Sequence, residues 1–340
     1  MKIRKTILTA VGIGAVAAVL AGCGSTPASH DGDGKTQEGP VSIRVGYTPD
    51  PGGAPLLAIA EDQGFFEKNG VKPTLTPFAT GPIQVQAMGT NDLDVGWIGP
   101  GAMWLPADGK AKVISMNLVD LSDVILANPK SGIKTVADLK GKQIGVPEGT
   151  SGDMLLMQAL STAGMTVDDI KKVQMDPATL VSAFSSGNID AVAIWRAAVS
   201  SVFTTMPNVT VVASDEDYYP DYVPVGGYVV SDKFLKASPD GVKRFVRALQ
   251  EANDYRYSHP DETLAITSKF LQVEPDRIKP IFDYVKYYTT AEFVKYTEDG
   301  TVEKWLQHEV DFFDKLGRIT TPVPVSQFYL SDMYVEASKG

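Results

Sequence analysis

Cysteine and histidine are scarce in this chain. Cys23 is the one cysteine among 340 residues, so a disulfide bond within the chain is excluded. The three histidines, His30, His259 and His308, have neither the spacing of metal ligands nor the setting of a Ser/His/Asp triad. A Walker-type loop and a complete G-x-G-x-x-G loop are also missing from the sequence. These absences predict that the protein is not an enzyme and that it has no cofactor and no metal site.

Positive charge is also in short supply. Lys and Arg total 31 against 41 Asp and Glu, so the formal net charge is −10. Because no stretch of the sequence concentrates basic residues, we expect no nucleic-acid partner. Beyond the N-terminal region, no apolar run reaches the roughly twenty residues that a membrane span needs. Hydrophobic residues make up 44% and charged residues 21%, which is typical of a globular protein.

The N-terminus reads MKIRKTILTAVGIGAVAAVLAGC, a basic start followed by an apolar stretch that is short for a membrane span. This pattern predicts a secretory signal peptide over residues 1–22. The segment Leu20-Ala21-Gly22-Cys23 resembles the lipobox of bacterial lipoproteins, in which the signal is cut before the cysteine and the thiol carries a diacylglycerol. The resemblance implies that Cys23 is lipidated and anchors the protein to the extracytoplasmic face of the cell membrane. The alternative is an ordinary signal peptide with a stray cysteine.

The segment after Cys23 reads GSTPASHDGDGKTQEGP and contains no large aliphatic and no aromatic side chain. Such a segment cannot bury apolar surface, and we interpret residues 23–40 as a flexible tether. About 300 residues follow it, which is more than one hydrophobic core usually serves.

One pattern occurs twice in this remaining part. Residues 89–99 read GTNDLDVGWIG and residues 185–195 read SSGNIDAVAIW, each after a helix-like run. In both, an aspartate, Asp94 or Asp190, precedes a short apolar strand that reaches a tryptophan. We expect each aspartate to cap or brace the turn into its strand, which is a structural role. The repeat predicts two α/β lobes built from the same helix–turn–strand unit.

Strand-like and helix-like segments alternate along the chain, which implies parallel α/β layers. Alternating β-branched residues predict strands at 41–47 and 225–234. Residues 54–70 read as a helix that Gly64 interrupts. Apolar residues at helical spacing predict two further helices, at 240–258 and 302–317, each with one buried face.

Three predicted helices begin directly after strands, at Gly52-Gly53, Gly99–Gly101 and Thr150–Gly152. Unpaired N–H groups at a helix start carry partial positive charge and suit an oxyanion. The glycines let the backbone approach a ligand closely, and the hydroxyls of Thr150 and Ser151 can donate hydrogen bonds. The alternative is that Thr150 or Ser151 only caps its own helix. Because an α/β sheet binds ligands beyond the carboxyl ends of its strands, we expect these starts to face one cleft.

Roughly residues 41–335 resemble the solute-binding proteins of bacterial ABC importers for taurine, alkanesulfonates, nitrate and thiamine-precursor pyrimidines. The segments that carry the resemblance are VGYTP, AEDQGFFEKNGV, MGTNDLDVGWIG, VADLKGKQIGVPEGTSGDMLL, SGNIDAVAIW and YVVSDKFLKASPD. The resemblance implies the α/β fold of periplasmic binding protein type II, in which two Rossmann-like lobes joined by two hinge strands close on the ligand. One lobe would contain residues 41–125 plus 225–340 and the other residues 126–224, with hinges near SDVILAN and VGGYVV.

The same resemblance implies a function. The protein would be a monomeric lipoprotein that captures a small organic anion, taurine or another alkanesulfonate. It would deliver this ligand to an ABC permease and its ATPase subunits, and it would touch the membrane only through its lipid anchor. A thiamine-precursor pyrimidine, nitrate or an aromatic acid is the alternative ligand. A non-transport surface lipoprotein is the alternative role.

Several side chains near the predicted cleft are candidates for ligand contact. Arg196 can clamp an anion bidentately, or it can pair across the cleft as a surface arginine. Taurine-type members have an acid near position 226 to hold the amine, whereas this chain has glycine there, and Asp50 or Asp153 is the candidate substitute. Aromatic side chains can wall the pocket, although core packing alone would also explain the two tryptophans. The predicted substrate-binding residues are Tyr47, Asp50, Gly52, Gly53, Trp97, Gly99, Gly101, Thr150, Ser151, Gly152, Trp195, Arg196, Gly226 and Tyr228.

Overall fold

The computed structural model describes residues 39–340, so the predicted signal peptide, the predicted lipidation of Cys23 and nearly all of the predicted tether lie outside the described residues. The strands of the described part are β1 (Val41–Tyr47), β2 (Val71–Pro77), β3 (Val95–Ile98), β4 (Lys112–Asp120), β5 (Asp123–Ala127), β6 (Gln143–Val146), β7 (Lys171–Gln174), β8 (Ala191–Trp195), β9 (Thr210–Ser214), β10 (Val225–Val230) and β11 (Val285–Lys286).

The helices of the same part are α1 (Pro55–Asp62), α2 (Phe65–Lys68), α3 (Gly81–Gly89), α4 (Trp104–Ala107), α5 (Ser151–Thr162), α6 (Pro177–Ser186), α7 (Ser200–Thr205), α8 (Asp232–Ala237), α9 (Pro239–Ser258), α10 (Pro260–Leu271), α11 (Pro275–Phe282), α12 (Thr290–Glu298), α13 (Thr301–Lys315), α14 (Val325–Phe328) and α15 (Ser331–Ala337). Short 3₁₀ turns cover Pro100–Ala102, Val136–Leu139, Val167–Asp169 and Asp215–Asp217. Across residues 39–340, no helix combines the length and the apolar character needed to cross a bilayer.

The strands form two mixed sheets. The first sheet has the order β11-β4-β10-β3-β1-β2 and the second has the order β7-β6-β8-β5-β9. We call the first sheet with its covering helices the first lobe, and the second sheet with its helices the second lobe. The prediction of parallel layers holds only for β1 with β2 and β3, and for β6 with β7 and β8. β10 and β5 run antiparallel to their neighbours because each begins directly after the chain has passed from the other sheet.

The chain crosses between the sheets twice. It leaves the first sheet at Asp120 and enters the second at Asp123, and it returns between Ser214 and Val225. The predicted lobe boundary at residue 125 falls inside β5, and the two strands predicted to lie near hinges are β5 and β10. The division into closing lobes stays a prediction, because residues 39–340 form one compact unit.

The repeated aspartates brace neighbouring strands in the same way. Asp94, just before β3, accepts the backbone N–H of Arg44 in β1 at 2.9 Å. Asp190, just before β8, accepts the backbone N–H of Gln143 in β6 at 2.8 Å. Each carboxylate therefore ties the start of its strand to the adjacent parallel strand, and the predicted structural role is confirmed.

Most of the individual element predictions agree with the structure. Gly64 has a left-handed conformation, with φ of 71°, and it divides the predicted helix into α1 and α2. The predicted inner face of α9 is buried at Val242, Phe245, Val246 and Leu249. The strand predicted over residues 225–234 ends at Val230, because Ser231 caps α8 by accepting the backbone N–H of Phe234 at 3.2 Å.

Candidate functional site

A cavity lies between the two lobes, at the carboxyl ends of β1, β3 and β8, which is where α/β sheets place their ligands. We call it the inner cavity. The space open to the centre of a water molecule is about 40 Å³, which holds roughly three waters. Its lining residues are Thr48, Asp50, Pro51, Gly52, Thr80, Gly81, Pro82, Trp97, Gly99, Ala102, Asp120, Ser122, Thr150, Ser151, Trp195, Ala197, Ile281 and Val285.

Trp97 and Trp195 line this cavity from the ends of β3 and β8. Trp97 is 5% exposed, and its indole N–H finds no hydrogen-bond partner within residues 39–340. A Cβ at Gly52 would lie 3.0 Å from the Trp97 ring, and a Cβ at Gly226 would lie 3.3 Å from it. These glycines therefore make room for the indole, and the unpaired N–H leaves Trp97 a donor that a ligand can use.

Two carboxyl groups line the cavity. Asp50, in the loop after β1, accepts the backbone N–H groups of Gly52 and Gly53 at 3.0 and 2.9 Å and the hydroxyl of Thr48 at 3.2 Å. Asp120, at the end of β4, accepts the backbone N–H of Ser122 at 3.0 Å. Burial raises the pKa of both groups, and it raises the pKa of Asp120 to about 6, against the effect of the Ser122 hydrogen bonds. Across the described residues, no Lys, Arg or His side chain lines this cavity to balance them.

Two further carboxyl groups, those of Asp123 and Asp215, lie behind the wall of the inner cavity. Ser151 donates its hydroxyl to Asp123 at 2.9 Å, and the backbone N–H of Asp123 donates to Asp215 at 2.8 Å. Burial, together with the neighbouring carboxylates, raises the pKa of Asp123 and of Asp215 well above the usual range. Because the Ser151 proton is already used on Asp123, Ser151 can meet a ligand only as an acceptor or through its backbone.

Two helices begin at the cavity wall. Thr80 precedes α3 and Thr150 precedes α5, and neither side chain caps its own helix in the described structure. Thr150 instead donates its hydroxyl to the carbonyl of Pro147 at 2.6 Å. First-turn N–H groups of both helices are thus left without side-chain acceptors, and they add partial positive charge to a cavity that also contains carboxyl groups.

The structure brings seven of the fourteen predicted ligand contacts to the inner cavity, namely Asp50, Gly52, Trp97, Gly99, Thr150, Ser151 and Trp195. It places the other seven elsewhere. Tyr228 is fully buried against Phe245 in the first lobe, and Tyr47 packs against Phe270. Gly53 and Gly226 lie behind the cavity wall, next to Thr48 and to Trp97 respectively.

The remaining three predicted contacts serve packing or face another cavity. A Cβ at Gly152 would lie 2.6 Å from the carbonyl oxygen of Ala193, so this glycine lets α5 pack closely on β8. A Cβ at Gly101 would lie 2.0 Å from the Thr150 carbonyl, so Gly101 lets the two lobes approach each other closely at this point. Arg196 lines a separate cavity, where its guanidinium lies over the ring of Tyr284.

Asp153, the other candidate for holding an amine, is already paired. Arg318, which follows α13 of the first lobe, donates to Asp153 and to Glu148 of the second lobe, both at 2.8 Å. Lys172 lies 2.7 Å from the same carboxylate of Asp153, which is 4% exposed. This network links the lobes and removes Asp153 from the candidates for ligand recognition.

Sequence reasoning missed Asp120 and Ser122, the residues at the first crossing. The segment DLSD, residues 120–123, stands between two long apolar strands, and this polar interruption was the one available signal. It also missed Thr80-Gly81-Pro82 at the start of α3 and the apolar contributions of Ile281 and Val285. Across residues 39–340, no group of three or more His, Cys, Asp or Glu is placed to hold a metal ion.

Comparison with known proteins gives the family. A family model described as NMT1/THI5 like matches residues 54–263. The chain belongs to this family. A protein of Brucella abortus, named as a candidate binding protein with no ligand in its name, is 42% identical over 86% of this chain and 92% of its own length. A protein of Bacillus subtilis, named as a candidate aliphatic sulfonates-binding protein, is 33% identical over 75% of each chain.

A solved structure agrees on the architecture of this NMT1/THI5-like protein. The alkanesulfonate-binding protein of Xanthomonas axonopodis pv. citri bound to MOPS superposes with a TM-score of 0.69 at 22% identity, over 86% of this chain and 98% of the other. The two sheets therefore have the fold of periplasmic binding proteins, and the predicted fold class and family are confirmed. The protein is a solute-binding protein of the ABC-importer type.

Proposed function

We propose that this protein binds a small aminosulfonate of the taurine type and presents it to an ABC permease with its ATPase subunits. The observation that carries the proposal is the mixed lining of the inner cavity. Carboxyl groups of Asp50 and Asp120 suit an ammonium group, and the starts of α3 and α5 suit a sulfonate. A zwitterion satisfies both kinds of group at once, whereas a simple anion meets uncompensated carboxylates.

The sulfonate part rests on hydrogen-bond donors that have no partner. The indole N–H of Trp97 and the first-turn N–H groups of α3 can donate to sulfonate oxygens. Each hydrogen bond to a charged group contributes about 1.5–3 kcal/mol. The names of the sulfonate-binding relatives support the same ligand class.

The ammonium part rests on Asp50 and Asp120. Both carboxyl groups face a cavity of about 40 Å³, so an ammonium inside it lies within a few ångströms of them. The faces of Trp97 and Trp195 can add a cation–π contribution. These carboxyls supply the acid that the glycine at position 226 does not.

A thiamine-precursor pyrimidine is the second candidate ligand. The observation that favours it is the pairing of two tryptophan rings with two carboxyl groups, because a flat aminopyrimidine can stack on indole and donate its amino hydrogens to Asp50 or Asp120. In either case we propose binding and delivery rather than catalysis.

Calorimetry with matched ligands tests the proposal on the full-length chain. Taurine is expected to bind at least about tenfold more tightly than ethanesulfonate, which lacks the amine, and than ethylamine, which lacks the sulfonate. Equal affinity for taurine and ethanesulfonate would show that the carboxyl groups hold no amine. Tight binding of an amino-hydroxymethylpyrimidine, with no binding of taurine, would show that the ligand is the pyrimidine and not the aminosulfonate.

We also propose that the protein is a monomer held on the extracytoplasmic face of the cell membrane by a lipid on Cys23, after removal of residues 1–22. The motif Leu20-Ala21-Gly22-Cys23 supports this, and these residues lie outside the described part of the chain. Cys23→Ala is expected to lose acyl labelling and to leave the membrane fraction or stay unprocessed. Ser25→Ala, two residues away, is the control that should keep both. Full membrane retention of Cys23→Ala would contradict lipid anchoring.

A further inference from the structure

A second and larger cavity lies between α7 and α11, beside the inner cavity. We call it the outer cavity. Its space open to a water centre is about 600 Å³, against about 40 Å³ for the inner cavity. Two arginines line it, Arg196 from the second lobe and Arg277 from the first, together with the hydroxyls of Ser200, Ser201, Thr204 and Thr205. The hydroxyl of Thr205 already donates to the carbonyl of Ser201 at 2.9 Å. The lining thus offers two guanidinium groups and the hydroxyls of Ser200, Ser201 and Thr204, and such donors hold oxyanions.

Arg196 is held in place by aromatic rings rather than by a carboxylate. Its guanidinium carbon lies 3.9 Å from the centre of the Tyr284 ring and 5.6 Å from the centre of the Phe203 ring. Its Nε is buried and finds no acceptor among the described residues. Arg196 is thus fixed by stacking, and its guanidinium has no carboxylate partner among the described residues.

Arg277 faces the same space from the opposite lobe. It lies on α11 and has no side-chain hydrogen bond or ion pair within residues 39–340. Asp276 is the single acidic residue in the lining of the outer cavity. The two arginines therefore give this cavity a positive character in a chain whose formal net charge is −10.

A third cavity lies between the other two and shares lining residues with each of them. Its lining includes Asp50, Trp195 and Ile281, which also line the inner cavity, and Ser200 and Arg277, which also line the outer cavity. Among the side chains that line the three spaces, Arg196 and Arg277 are the only Lys, Arg or His of the described chain. An anion that approaches the inner cavity by this route meets the arginines first.

We propose that the outer cavity is a separate binding site for a small oxyanion of the sulfate or sulfonate class. The anion is clamped between Arg196 of one lobe and Arg277 of the other. A local positive cavity attracts an anion that the acidic surface as a whole repels. A bound oxyanion also links the two lobes, and the site lies beside the inner cavity. The site does not depend on whether the inner cavity takes an aminosulfonate or a pyrimidine.

Equilibrium dialysis of the full-length chain with radiolabelled sulfate tests the site. Ionic strength is held constant with chloride, so that screening is the same in every sample. Arg196→Gln and Arg277→Gln are each expected to weaken sulfate binding by about tenfold or more, since each removes a charged donor. Arg196→Lys, which keeps the charge but loses the fork, is expected to fall between wild type and Arg196→Gln.

Two control variants separate this site from its surroundings. Lys279→Gln removes an exposed charge from α11 that does not line the outer cavity, and it should leave sulfate binding unchanged. Lys304→Gln removes an exposed charge from α13, which does not line the outer cavity, and it should also leave sulfate binding unchanged. Arg277 is exposed, so its variant is expected to fold even if the loss of the Arg196–Tyr284 contact destabilises the other. Unaltered sulfate binding in Arg277→Gln, or a loss in Lys279→Gln equal to that in the arginine variants, would overturn the outer site while leaving the taurine proposal standing.

Discussion

Asp120→Asn is expected to weaken taurine binding by about ten- to a hundredfold at neutral pH. The substitution removes the buried carboxylate that faces the ligand ammonium, while the amide oxygen of asparagine can still accept the backbone N–H of Ser122. Asp120 is 6% exposed, and burial raises its pKa to about 6. An ammonium favours the charged carboxylate, so taurine affinity should rise as the pH increases through about 6, and a proton should be released on binding below that pH. Calorimetry across this range measures both quantities.

Ethanesulfonate, as a reference ligand, and Glu303→Gln, as a control variant, make this test more specific. Ethanesulfonate has no ammonium, so its affinity should fall as the pH increases through about 6, because the charged Asp120 then repels it. Both pH dependences should be weaker in Asp120→Asn, which leaves only the contribution of Asp50, whose pKa is also raised by burial. Glu303→Gln removes an exposed carboxylate on α13 and should leave the affinity unchanged. A taurine affinity that falls with rising pH through 6 would contradict the ammonium–Asp120 pairing.

The same variant is expected to be more stable than wild type at alkaline pH. The folded-state pKa of Asp120 is raised above its unfolded value, so its stabilising contribution is complete below about pH 4 and is lost as the pH rises through about 6. Removing the titration should add about 3 kcal/mol to the free energy of unfolding above pH 7. A variant that loses affinity while gaining stability has lost a ligand contact rather than its fold.

Local patterns in the sequence predicted the local structure well. The two helix–turn–strand repeats required only hydrophobic periodicity and one aspartate, and Asp94 and Asp190 brace their strands through equivalent hydrogen bonds. The residues that follow β1 and β3 reach the inner cavity because parallel strands end at the same edge of a sheet, and those at the end of β8 reach it from the second sheet. The sequence could predict these features because they depend only on residues that are close in sequence or on the direction in which a strand runs.

The charge character of the site depends on long-range contacts and was not predicted. Asp50, the neighbouring pair Asp120 and Asp123, and Asp215 are far apart in sequence, and the fold brings them together. For other residues, the alternation of side chains along a strand decided which cavity or core the side chain reaches. Trp195 and Arg196 are adjacent, and at the end of β8 they point into different cavities. Tyr228 pairs with Trp97 across the sheet, but its ring belongs to the buried core of the first lobe.

Gly101→Ala is expected to prevent the lobes from closing and to weaken ligand binding by about a hundredfold. A Cβ on Gly101 would lie 2.0 Å from the carbonyl carbon and oxygen of Thr150 and 2.2 Å from the nitrogen of Ser151. These are backbone atoms at the start of α5, so no side-chain rotation can relieve the overlap. Since Gly101 lies in the first lobe and α5 in the second, the methyl group acts as a wedge between the lobes.

Small-angle scattering and calorimetry together test the wedge. Wild type is expected to shrink when it is saturated with whichever member of the ligand panel it binds, whereas Gly101→Ala should keep a larger radius of gyration with or without ligand. Gly89→Ala in α3 is the matched control, because a Cβ there meets no atom within 4 Å and the residue belongs to the same lobe. The wedge leaves both sheets intact, so the circular dichroism spectrum should not change. If Gly101→Ala binds ligand and contracts as wild type does, then the contact of Gly101 with α5 is not part of the closed, ligand-holding form.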